Sequence, residues 1–150
     1  MSDITDIFEG NSEEWLDALP TYQKNIVTDL LHAHSPELAA NVWLEATIEN
    51  NSPFSSVPSE DKKKYFNFLM DEIQKLLCGN PEYDNQRNEI LELFNKNDSK
   101  AVIVSFISTF IGANFGLSAV FIAPVIVIIL MIIGKTSLNA WCTMQREKLV

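Results

Sequence analysis

The stretch Ala101–Gly134, AVIVSFISTFIGANFGLSAVFIAPVIVIILMIIG, runs for 34 residues without an Asp, Glu, Lys or Arg. A run of about 18 or more apolar residues reads as a membrane candidate rather than an ordinary core element. As one unbroken helix it would be about 51 Å long at roughly 1.5 Å per residue. The hydrocarbon core of a bilayer is only about 30 Å thick, so the chain must break, tilt or fold back. Two break points compete: Gly112-Ala113-Asn114-Phe115-Gly116 has turn composition, and Ala123-Pro124 kinks or ends a helix.

Small side chains weigh on that choice. Ser105, Ser108, Thr109, Gly112 and Gly116 fall on one face if the helix continues through them, and Ser108, Gly112 and Gly116 make a small-xxx-small ladder. In lipid this spacing lets two helices approach closely, so the stripe is read as a helix-association face. The expectation is a hairpin with a first arm near residues 100–119 and a second from Pro124 onward. Lys96 and Lys100 precede the segment and Lys135 and Arg146 follow it, which places both ends on one side of a membrane. A single span over 117–134, with residues 100–112 at the interface, is the alternative.

After Gly134, Lys135, Asn139, Cys142, Thr143 and Arg146 form a polar stripe beside Leu138, Trp141 and Met144. A basic, aromatic-bearing amphipathic tail over 135–150 fits a membrane interface. Lys135 either snorkels at the bilayer edge or faces a polar lumen.

Outward from the apolar segment lies a different chain. Residues 1–98 hold seven Lys/Arg and nineteen Asp/Glu, a net of −12, whereas residues 99–150 sum to +3. So acidic a front half excludes a nucleic-acid partner, because phosphate contacts need a basic face. Helix starts recur along it. Ser12 caps a short helix with Trp15, Leu16 and Leu19, and Pro20 follows. Ser35-Pro36-Glu37 and Asn80-Pro81-Glu82 each place a cap, a proline and an acid in order. Apolar stripes run through Tyr22, Ile26, Val27, Leu30 and Leu31, then Leu38, Ala39, Val42, Trp43 and Ala46. Two more comprise Tyr65, Phe66, Leu69, Ile73, Leu76 and Leu77, and Tyr83, Ile90, Leu91 and Phe94. Asn50–Ser59 reads as a loop, and Gly79 as a helix end. The fold class is therefore all-α: an acidic bundle of about five helices over 1–98, a hydrophobic hairpin over 99–134 and the tail.

A third arrangement buries the apolar segment at the centre of a soluble bundle. It resembles pore-forming colicin domains, which keep an apolar hairpin inside amphipathic helices until a membrane is met; the likeness is of architecture. Five short helices are expected to be too few for that shelter, so a bilayer or an oligomer takes up the surplus apolar surface.

Residues with chemistry are sparse. His32 and His34 point apart on a helix and suit its C-terminal dipole. Glu13-Glu14 and Glu60-Asp61 sit in first turns, where acids stabilise the helix. Lys62, Lys63 and Lys64 form the basic cluster of the front half, read as a solvated face or as an anion patch at a helix start. Cys78 and Cys142, 64 residues apart, are read as free thiols in a reducing compartment. The acidic N-terminus lacks an early apolar run, so no signal peptide is read and the soluble part is expected to face the cytoplasm. No cofactor, metal or enzyme motif emerges.

These features point to a small membrane effector, similar in architecture to membrane-disrupting toxins of bacterial abortive defence. Its cytosolic domain would control a hairpin that oligomerises and permeabilises the lipid bilayer. The other reading is a membrane-anchored adaptor, chaperone or immunity protein whose acidic domain captures a basic protein partner.

Overall fold

The computed structural model describes residues 12–51, 59–97 and 100–148. A 3₁₀ helix, Ser12–Ala18, leads into α1 (Thr21–Ala33) and α2 (Pro36–Asn51). Then come α3 (Ser59–Leu77), a 3₁₀ turn at Pro81–Tyr83, α4 (Asp84–Asn97), α5 (Lys100–Phe115), α6 (Ala119–Lys135) and α7 (Leu138–Lys148). The chain is all-α, and no strand occurs among the described residues.

Local chemistry sets the helix ends. Ser35 Oγ accepts from the Leu38 N–H at 3.3 Å, with Pro36 at the first helical position of α2. Gly79, at φ +96°, lets the Asn80 N–H return to the Lys75 carbonyl at 3.2 Å and close α3. Asn80 Oδ1 then accepts from the Glu82 N–H at 2.9 Å to open the next turn. The stretch 52–58, most of the expected loop, lies outside the described residues.

The core is one continuous cluster, and α6 runs through its middle. Every residue from Pro124 to Met131 is buried, so this helix is covered on all faces. Its neighbours are α2, α5, α1, α7 and the 3₁₀ helix Ser12–Ala18. The boundary expected at residues 98 and 99 falls between α4 and α5, but the apolar residues on its two sides pack together. Leu44, Leu69 and Ile90 share the cluster with Ile107 and Ile126.

This is the arrangement for which the front helices were expected to be too small. The shelter suffices because α5, itself half of the apolar segment, is one of the covering helices. It turns Ile103, Val104, Ile107 and Ile111 inward and leaves Ala101, Ser105, Thr109 and Ala113 exposed. No described helix is by itself long and apolar enough to cross a membrane. The pair α5 and α6 reaches that length and composition together, bent by 117° at the break.

The front faces differ in detail from the sequence reading. On α1 the buried residues are Gln23 and Val27, while Tyr22 and Ile26 are exposed. The helix is rotated by about one residue, or roughly 100°, from its purely apolar stripe. On α3, Leu69, Ile73, Leu76 and Leu77 are buried as expected. The side chains of Ala46, Tyr65 and Phe66 lie outside the described residues.

Candidate functional site

The apolar pair is the candidate functional element, and its most constrained point is Pro124. A proline has no N–H, so the carbonyl four residues earlier, that of Val120, loses its helical partner. Gln23, buried on α1, donates its side-chain amide to that carbonyl at 2.9 Å. Trp43 on α2 donates its indole N–H to the next carbonyl, that of Phe121, at 2.8 Å. Two front helices thus supply donors to the first turns of α6. A proline there breaks nothing, since an outside donor replaces the missing one. The break between the arms lies instead at residues 116–118, starting at the last glycine of the first position weighed from sequence and just after it.

That turn explains both glycines. Gly116, at φ +69°, stands one residue past α5, and the Leu117 N–H returns to the Gly112 carbonyl at 3.0 Å. A Cβ on Gly112 would lie 2.5 Å from the Leu117 carbonyl oxygen, so the chain folds back tightly against it. Space around Gly116 is open; there the positive φ alone calls for glycine. The five-residue association face is therefore divided. Ser108 and Gly112 face the core, Ser105 and Thr109 face outward, and Gly116 lies off the helix. Periodicity placed Gly116 on that face only by assuming that the helix continued. Ser108 Oγ is fully buried and has no hydrogen-bond partner.

The expected tail stripe is also split. Lys135 ends α6, and Ser137 Oγ starts α7 by accepting from the Ala140 N–H at 3.0 Å. Asn139, Thr143 and Arg146 form an exposed face of α7, and Lys135 is exposed on the preceding helix. Trp141, expected at an interface, is only 2 % exposed and packs with the core beside Ile129, Ile132 and Met70. Lys62, Lys63 and Lys64 belong to α3, but their side chains lie outside the described residues. His32 is exposed in the last turn of α1.

The cysteines overturn the free-thiol reading. Cys78, just past α3, is disulfide-bonded to Cys142 on α7, with Cα atoms 5.7 Å apart. Packing of α7 against the end of α3 makes neighbours of residues separated by 64 positions, which no spacing rule reveals. Closing a loop of that length restricts the unfolded chain by about 4 kcal/mol. Cys142 is buried, whereas Cys78 is half-buried at the edge of an open groove of about 400 Å³. Lys75, Asp71 and Arg146 line the same groove.

Three more residues secure the surroundings. Arg87, on α4, donates to the carbonyls of Lys75 (3.1 Å), Leu76 (3.0 Å) and Asn80 (2.7 Å), and to the Asp84 carboxylate. It thereby caps the carbonyl end of α3 beside the disulfide. Tyr83 donates its hydroxyl to Glu72 and sets its ring edge-on to Phe110 of α5, 5.1 Å between centroids. Burial pushes its phenol above the usual range, and the hydrogen bond to Glu72 and that carboxylate's charge add to the effect. At the other end of α5, Lys100 pairs with Glu14 at 3.2 Å and lies 5.2 Å over the Trp15 ring. Among these residues, Trp15, Trp43 and Tyr83 were placed on apolar helical faces from the sequence.

Among the described residues no cluster of His, Cys, Asp or Glu could hold a metal ion. Comparison with protein-family models, with curated protein sequences and with solved structures gave no match for this chain.

Proposed function

We propose that the chain is a membrane effector stored as a closed helical bundle, whose α5–α6 pair leaves the core, enters a bilayer and assembles there to permeabilise it. The observation that carries this reading is the segment without charge from Ala101 to Gly134, folded as two helices. Together the pair has the length and composition of a broken span. Water does not favour exposing such a pair, and a bilayer does. Its use against the producing cell, as in abortive defence, belongs to the same proposal.

Ser108 supports the assembly step. A buried hydroxyl without a partner costs about 1–3 kcal/mol in the closed bundle. On a pair of helices in lipid, the same serine beside Gly112 would lie on a close-packing face and could hydrogen-bond across it. The exposed Ser105 and Thr109 then add polar groups for a pathway between helices.

Dye-loaded vesicles of mixed phosphatidylcholine and phosphatidylglycerol, incubated with the full chain, provide the test. Dye release together with detergent-resistant oligomers is expected, and expression in bacteria should depolarise the cells. A chain that neither binds vesicles in any redox state nor slows growth would overturn the effector reading and favour the adaptor.

A further inference from the structure

Both arms of the apolar pair, Lys100–Phe115 and Ala119–Lys135, lie between the two bonded cysteines. One cysteine sits at the end of α3, and the other on α7, which follows α6 after only Thr136 and Ser137. The covalent bond therefore pins the C-terminal end of α6 to the front helices. Every other long-range tie on the pair described above is non-covalent: Gln23 to Val120, Trp43 to Phe121, Lys100 to Glu14 and the Tyr83–Phe110 contact. We propose that the Cys78–Cys142 disulfide is a redox latch that keeps the apolar pair inside the bundle until a dithiol reductant opens it. The latch concerns release from the core; what the released pair does next rests on the membrane reading above.

The surroundings suit reduction from one side. Cys142 is buried, and Cys78 borders the open groove. A thiolate of the dithiol attacks Cys78 Sγ, the S–S bond breaks, and Cys142 leaves as a thiolate that takes up a proton. The reductant's second thiolate then attacks its own sulfur in the mixed disulfide and expels Cys78. Two electrons pass to the protein, both cysteines become thiols, and the dithiol ends as a disulfide. Lys75 and Arg146 border the same groove together with Asp71, so its charged lining carries one cation in excess. Disulfides persist under oxidising conditions and open under reducing ones, so the latch reports the redox poise around the protein.

Hydrogen–deuterium exchange on the full chain separates the latch from the membrane reading. Oxidised protein would be compared with protein reduced by dithiothreitol and with Cys78→Ser/Cys142→Ser. Amides of Lys100–Phe115, Ala119–Lys135 and Leu138–Lys148 should exchange about tenfold faster or more without the bond, while Thr21–Ala33 changes far less. Equal exchange in the two redox states, or the same acceleration in every helix, would overturn the latch. The three samples are then added to dye-loaded phosphatidylcholine–phosphatidylglycerol vesicles. Release confined to the two unbonded forms supports latch and membrane entry together. A localised exchange response without release from any sample keeps the latch and removes the membrane reading.

Discussion

The side-chain amide of Gln23 meets the main-chain carbonyl of Val120 at 2.9 Å, across 97 residues of sequence. The carbonyl is free because the residue four positions on is Pro124, and the glutamine is buried because the carbonyl is there. Each oddity, a proline inside a helix and a polar residue on a core face, accounts for the other. The same contact joins the acidic front helices to the apolar pair.

If that account holds, Gln23→Met should cost about 1–3 kcal/mol by leaving the Val120 carbonyl unpaired. Pro124→Ala restores the helical donor, so the glutamine substitution should cost much less in that background. Urea unfolding of the four proteins measures the coupling. Additive effects would show that the two residues act independently.

The two glycines of the turn should respond differently. Gly112→Ala places a Cβ 2.5 Å from the Leu117 carbonyl oxygen, which is backbone and cannot swing away. A loss of about 3 kcal/mol is expected, near the upper end for overpacking. Gly116→Ala meets open space and should cost only the left-handed conformation, about 1 kcal/mol. Gly116→Asn should cost less still, since asparagine tolerates that region. Thermal unfolding ranks the three.

Ser108→Ala should move two readouts in opposite directions. Removing an unpartnered buried hydroxyl should stabilise the closed bundle by roughly 1–2 kcal/mol. Assembly in vesicles, read by cross-linking, should weaken because a close-contact hydrogen-bonding group is gone. Unchanged assembly would remove Ser108 from the association face.

Alkaline pH should destabilise the bundle through Tyr83. Its folded pKa lies above the ordinary 10.0, so its contribution is complete below about pH 10 and is lost as the pH rises through the folded value. Tyr83→Phe should flatten the fall in stability above pH 10 relative to the parent. At neutral pH it should cost about 1 kcal/mol for the lost hydrogen bond to Glu72. Denaturant midpoints measured from neutral to alkaline pH check both parts.

Local chemistry alone determined the helical class and several helix ends. Ser35-Pro36-Glu37, Gly79 and Asn80-Pro81-Glu82 act on neighbours within a turn, and they sit where their pattern placed them. The charge-free run from Ala101 to Gly134 likewise announced a helical pair that must be kept from water. Tertiary structure decided the rest, because these choices depend on partners far along the chain. Pro124 stays inside a helix because Gln23 supplies the missing donor, and the arms part at Gly116 because a left-handed residue and a bare Cα at Gly112 permit the tight return. Trp141 faces the core, and Cys78 finds Cys142, because α7 folds back on α3. Periodicity reports which residues share a face, but a neighbour 60 to 100 residues away determines which face is buried.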